Sequence, residues 1–368
     1  MPPILTATTS SARQLLALLR CISFANKAHV RITDEGIRFS VEEARVLQGI
    51  VSLDKHLFTT YHYHPPEDSQ TSSATATEHS SQPLACPPFQ ISLHALLETL
   101  QIFGMTDPAM SQRSSNRGPS ADPFNTSGVS NAHYSGAPFD SRTLGMSGLV
   151  RITYPSVGSP LCVTLEEGSV TTSCELVAFE PDRPALLGAD DTEDVDDDFD
   201  IPFDRMRIIQ KIILPGSALA EALSELASVG PDVLILSTSA TKAPHFSLSA
   251  VGNNASAQVD FSKDSPVLET FSVRAPQAGE ERRLTNRYKF SMVNAAARAM
   301  AISAKASVRG DAQGVLSLQF MVETGVVMGM APEGGGGSGS EGVSFVDFRF
   351  VPLVEEDNAG DGDATDSE

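Results

Sequence analysis

Apolar residues recur along the chain in two rhythms, one of period near 3.6 and one of period 2, interrupted by long polar stretches. Residues 10–24 (SSARQLLALLRCISF) set Leu15, Leu18, Leu19 and Ile22 at i, i+3, i+4 and i+7. That spacing predicts an amphipathic helix, with a serine at its N-cap. Residues 29–41 (HVRITDEGIRFSV) alternate on both sides of Asp34 and Gly36, the pattern of two strands around a turn. Further along, a strand is expected at 47–57 and a strand running into a helix at 89–103 (FQISLHALLETLQIF). A strand at 149–155 and a hairpin at 161–179, turning at 167–168, close this first series.

A second series follows. Residues 206–214 read as a strand, and 217–228 as a helix with Leu219, Ala222, Leu223 and Leu226 on one face. Segments 232–240 and 245–252 form a hairpin, and 255–262 adds a strand. Residues 287–292 lead into an Ala-rich helix near 294–303, and strands are expected over 305–323 and 343–353. Each series thus runs strand, helix, several strands, strand, helix, several strands, which is an internal duplication. An α+β fold of two alike halves is expected.

Three segments stand outside this rhythm: 65–88, 106–148 and 332–342 (PEGGGGSGSEG). Rich in Ser, Thr, Asn, Gly and Pro, they bury too little apolar surface to offset the entropy of ordering, so disordered insertions are expected. Residues 180–204, Pro-punctuated and then acidic, read as an interdomain linker. The expected organisation is an N-terminal domain over 1–179, the linker over 180–204, a C-terminal domain over 205–354 and an acidic tail over 355–368.

Charge changes the picture once its distribution is considered. Lys plus Arg number 26 against 46 Asp plus Glu, a net charge of −20 that argues at first against a nucleic-acid partner. Eight of the acids lie between residues 190 and 200 and seven more between 355 and 368, with no base in either run. Setting those runs aside as solvated leaves 31 acids against 26 bases, so a local basic face remains open. Cys21, Cys86, Cys162 and Cys174 are too few and scattered for a disulfide framework, and read as idle thiols in a reducing compartment. No apolar run of about 18–20 residues and no basic-then-apolar leader suggest a membrane or an export route.

Most candidate chemistry fails on context. Gly337, Gly339 and Gly342 match GxGxxG, but they follow Pro332 and Glu333 and precede a strand, where a dinucleotide site needs a strand before and a helix after. No phosphate-binding GxxxxGK[ST] and no GxSxG turn occur. His62 and His64 flank Tyr63 beside a Pro-rich stretch and read as a solvated strand end. The acidic runs supply charge without the rigidity that a two-metal nuclease needs. Three Ser-Gln pairs beginning at Ser69, Ser81 and Ser111 fall in the insertions, at a density chance explains. No catalytic residue, metal or cofactor is expected.

Two helix faces remain. Arg13 and Arg20 share a stripe opposite the leucine face of the first helix. Arg298 lies opposite Val293, Ala296, Ala297 and Met300 on the last helix, with Lys305 following on the same side. The other two helices carry Glu98, Glu221 and Glu225 outward. About four phosphate contacts give weak, salt-sensitive, sequence-independent affinity, so a protein built this way needs encirclement to stay on DNA.

The tandem order, the acidic linker, and segments 24–51, 161–176, 198–226, 244–265, 286–293 and 314–323 together resemble the sliding-clamp family of proliferating cell nuclear antigen. They are most similar to the branch that supplies the "Rad one" subunit of the nine-one-one DNA-damage checkpoint clamp. The resemblance implies an α+β chain of two tandem clamp domains, with helices on one face of antiparallel sheets, as a nuclear, non-enzymatic member of a heterotrimeric ring with two other clamp-like subunits. It further implies a dedicated clamp loader, double-stranded DNA passing through the ring, and checkpoint and repair effectors as partners. Arg13, Arg20, Arg298 and Lys305 would then face the DNA backbone, and edge strands would pair with neighbouring subunits. The docking groove that clamps carry beside the linker is not legible and is assigned no residues. Two other readings stand beside this one: a 3′–5′ DNA exonuclease and a homotrimeric replication processivity clamp.

Overall fold

A computed structural model describes residues 2–66, 86–105, 149–167, 170–181, 200–252, 254–274, 283–324 and 342–354. Apart from their margins, the insertions expected at 65–88, 106–148 and 332–342, most of the linker and the acidic tail lie outside the described residues.

The first half runs β1 (Leu5–Thr9), α1 (Ala12–Leu19), β2 (Lys27–Ile32), β3 (Gly36–Glu43), β4 (Leu47–Asp54), β5 (Thr60–Tyr63) and β6 (Phe89–Ser92). It continues with α2 (Leu93–Met105), β7 (Leu149–Tyr154), β8 (Leu161–Glu167) and β9 (Val170–Leu176). The second half begins with β10 (Ile208–Pro215), α3 (Gly216–Ala227), β11 (Val233–Thr238), β12 (Phe246–Val251) and β13 (Ser256–Phe261). It ends with β14 (Thr270–Val273), β15 (Leu284–Lys289), α4 (Phe290–Asn294), α5 (Ala297–Ile302), β16 (Lys305–Asp311), β17 (Leu316–Thr324) and β18 (Gly342–Phe350). The order of the first half recurs in the second, with one difference: a single helix expected near 294–303 is split into α4 and α5 by a turn at Ala295 and Ala296. Strands β1 and β14 had no counterpart in the hydrophobic pattern, because both are short and carry few large apolar residues.

The amphipathic reading of α1 holds at residue level. The Ser11 hydroxyl accepts the Gln14 N–H, and Leu15, Leu16, Leu18 and Leu19 are buried. The helix then tightens into a 3-10 turn over Arg20–Ile22.

Among the described residues the strands form three antiparallel sheets. One has the order β5-β1-β7-β8-β9, another β13-β12-β11-β15. The nine-stranded sheet, β14-β10-β16-β17-β18-β4-β3-β2-β6, joins the halves, because β18 pairs with β4. At that seam Phe348 stands opposite Gly49. A Cβ at position 49 would come within 2.8 Å of both Ile22 and Phe24, so only glycine lets the first helical segment lie this close to the sheet. Phe24, Phe320 and Phe350 surround Phe348 with ring centroids 5.9–6.2 Å away.

Candidate DNA-facing surface and subunit edges

The helices pack side by side on one face of the sheets: α2 against α1, α5 against the turn after α1, and α3 against α5. Close approach of α3 and α5 depends on Gly216, where a Cβ would meet the Ser303 hydroxyl at 2.1 Å. Arg13 and Arg298 are exposed on this layer and Arg20 is half-buried. Arg20 donates to Gln101 Oε1 of α2, and Arg298 Nη1 donates to the Arg20 carbonyl at 3.5 Å. The join between the halves on the helical face is thus framed by Arg20 and Arg298, with Arg13 two turns away on α1.

Lys305 is not with them. It opens β16, and strand alternation directs it to the same side as Arg309, opposite the buried Ala306 and Val308 that face the core. Its Nζ lies 2.7 Å from Glu269 Oε2, which neutralises it. The reading that carried Lys305 on from Arg298 fails because the chain switches from helical to extended period after Ile302. The same layer also exposes Glu98, Glu221 and Glu225, with Glu98 paired to His94 at 3.2 Å, so its charge is mixed.

The opposite face of the nine-stranded sheet carries a feature that the sequence did not signal. Asp200, expected within a solvated acidic run, is only 10% exposed at its side chain. It pairs with Arg38 of β3 and, at 3.4 Å, with Arg349 of β18, and accepts from Gln48 Nε2 of β4 at 2.8 Å. Gln48 Oε1 in turn accepts the Ile201 N–H at 2.9 Å, and Arg349 donates to the Ile201 carbonyl at 2.6 Å. The linker's last residues are therefore clasped across the seam by side chains from both halves. Beside them Arg309 pairs with Asp347 at 3.5 Å and lies over the Phe203 ring. Burial pushes the Asp347 carboxyl up, against the pull of Arg309 and Arg349. A cleft of about 800 Å³ opens here between linker and sheet, lined by Arg38, Phe203, Arg205 and Arg349 among others. A lone aspartate among eight acids gives no signal in sequence; only its partners on three neighbouring strands do.

Among the strands that end these sheets are β9 and β13, which hold the places in their halves that β18 and β4 hold at the seam. Their burial patterns are those of edges, with Val170, Thr171, Thr172 and Ser173 exposed on β9 and Ser256, Gln258 and Asp260 on β13.

Residues 4–322 match the family model described as repair protein Rad1/Rec1/Rad17. The chain belongs to that family. Cell cycle checkpoint protein RAD1 of Mus musculus is 30% identical to this Rad1-family chain over 318 residues, covering 86% of each. DNA damage checkpoint control protein rad1 of Schizosaccharomyces pombe is 28% identical over 355 residues, 95% of this chain and 88% of that one. A protein named DNA repair exonuclease REC1, from Mycosarcoma maydis, is similar at 21% identity over 464 residues, 95% of this chain and 96% of that one. Among solved structures, PCNA from Thermococcus kodakaraensis superposes with a TM-score of 0.53 at 14% identity, covering 95% of this chain and all of that one. The Rad1-family chain therefore has the sliding-clamp fold, α+β in class.

Proposed function

We propose that this chain is a non-enzymatic subunit of a heterotrimeric ring in the nucleus, which encircles duplex DNA at damage sites and recruits checkpoint and repair proteins. One observation carries the ring. The last strand of the second half, β18, pairs with the fourth strand of the first, β4, whereas the strands equivalent to these two, β9 and β13, each end a sheet with one edge open. Repeating the internal seam between chains joins β9 of one subunit to the β13 equivalent of the next, a head-to-tail contact that closes into a ring. The helix layer then faces the hole, with Arg13, Arg20 and Arg298 toward phosphates. Lys305, tied to Glu269 on the other side of the sheet, is left out of that contact. With Glu98, Glu221 and Glu225 on the same layer, retention rests on topology more than on contact energy.

The test is retention on DNA of two topologies. The full chain is mixed with two other clamp-fold chains and the clamp loader of its organism on nicked circular DNA. Expected is an equimolar complex that survives a high-salt wash and slides off when the circle is cut. A chain that stays monomeric in every mixture, or retention that survives cutting, overturns the proposal. A stable homotrimer of the chain alone selects the replication-clamp alternative. The exonuclease reading is favoured by one relative's name. Divalent-metal-dependent release of 3′ nucleotides, abolished by a single carboxylate substitution, would establish it.

A further inference from the structure

The internal seam shows what a well-packed junction between these halves requires. On its core side Val346 stands opposite Val51, Phe348 opposite Gly49 and Phe350 opposite Leu47. Phe348 is a knob set opposite a residue with no side chain: the space that a Cβ at 49 would take is filled by Ile22 and Phe24, and the Phe24 ring packs 6.2 Å from that of Phe348.

The open edges of β9 and β13 occupy the same two positions in the fold, and the registers say which residues correspond. Leu161 faces Leu176 in β8–β9 as Leu316 faces Phe350 in β17–β18, so Cys174 is the counterpart of Phe348. Tyr288 and Ile91 each stand two residues before the first residue of a helix and face Leu234 and Ala28. Following those pairs across β12–β13 and β3–β4 makes Ala257 the counterpart of Gly49 and Val259 that of Val51. Cys174 and Ala257 are half-buried against the core, and the Thr99 hydroxyl sits 3.2 Å from the Cys174 sulfur.

A second copy of this chain, docked in the seam's register, would set Cys174 against Ala257 and Thr172 against Val259. The knob would be missing, and the position opposite it would carry a methyl. A void between packed faces forfeits both dispersion contacts and apolar burial. Charge raises no such objection: on the outer side Glu175 would face Ser256, Ser173 would face Gln258, and Thr171 would face Asp260. Size is what discriminates.

We propose that partner choice at both edges is made by side-chain volume. The strand docking on β9 brings a bulky apolar residue opposite Cys174, and the strand docking on β13 brings one opposite Ala257. Both come from other clamp-fold chains and not from a copy of this one. This rests on the ring reading above and names the residues that make the ring heterotypic. It is specificity by mismatch: a poor fit to self and a good fit to a chain carrying the missing volume.

The experiment rebuilds the knob and the bare position opposite it in the full chain with Cys174→Phe and Ala257→Gly together. Light scattering should find the parent monomeric and the double variant self-associating, at least about tenfold more tightly. Cys174→Leu with Ala257→Gly adds less volume against Thr99, and far-UV circular dichroism checks both pairs for folding. A folded double variant as monomeric as the parent overturns the proposal, as does a parent chain that trimerises alone. Hydrogen exchange on β9 and β13 during mixing with the two other clamp-fold chains separates this inference from the one it rests on. Protection there, with inert double variants, leaves the ring and removes the size rule. No protection in any mixture removes the ring itself and the inference with it.

Discussion

Cys21 lies in the turn after α1, 2% exposed, and burial pushes its thiol up to about 12 against the opposing pull of Arg298. Cys86, also buried, is pushed up to about 11 by the same cause. In the unfolded chain both thiols ionise from about pH 8.5, so above that the unfolded state holds fewer protons than the folded one. Stability therefore falls as pH rises from about 9 towards 11–12, by up to about 1.4 kcal/mol per pH unit for each thiol. Cys162, Tyr61, Tyr63, Tyr154 and Tyr288, raised by burial too, add a fall of the same sign, so the share of Cys21 is read from the difference between the parent and Cys21→Ala. Urea midpoints at pH 8, 9 and 10 should drop progressively. Cys21→Ala should start lower and drop less, and an unchanged alkaline slope would remove Cys21 as a source. At this scale the sequence was legible where one helix decides the outcome. The seven-residue spacing of Arg13 and Arg20 put both away from the leucine stripe, and they are so placed. Lys305 was misplaced because a change of period two residues before it leaves no mark on the residue itself.

Elements were legible in proportion to their apolar content. The helices α1 and α3 and the long hairpins announced themselves, whereas β1 (LTATT) and β14 (TFSV) depend on neighbours for their burial. The linker clasp was invisible for the same reason, since Asp200 is fixed by Arg38, Gln48 and Arg349 from three strands of two halves. Its removal should be costly. Arg349 is 12% exposed at its side chain, and losing the carboxylate leaves that buried guanidinium without its ion-pair partner. Asp200→Ala is expected to destabilise by roughly 2–4 kcal/mol. Glu221→Ala on the exposed face of α3 should stay within about 0.5 kcal/mol. Denaturant unfolding of the two variants side by side checks this. Equal midpoints would mean that the clasp is a solvated contact and that the seam is held by Phe348 and its neighbours alone.

At the scale of the whole molecule, the duplication was readable because each half repeats one sequence of periods. The three sheets were not, since the β4–β18 pairing joins residues about 300 positions apart and leaves no local trace. The consequence for function is a helical layer that spans both halves and carries mixed charge. Arg13, Arg20 and Arg298 stand among Glu98, Glu221 and Glu225, so the layer's positive charge is local to the region from α1 to the α1–α5 join. On the proposed ring reading, substituting Arg13→Glu and Arg20→Glu together removes up to two phosphate contacts and adds repulsion. The slope of log affinity against log salt should flatten by about 2, at about 0.9 per contact. Loading on nicked circles should fall most at low salt, where contact energy matters, while the mass of the assembled complex stays unchanged. The backbone bond from Arg298 to the residue 20 carbonyl survives the substitution, so the join itself should persist. Loading and salt slope equal to the parent's would take these arginines out of DNA contact and leave the hole lined by helices that hold DNA through enclosure alone.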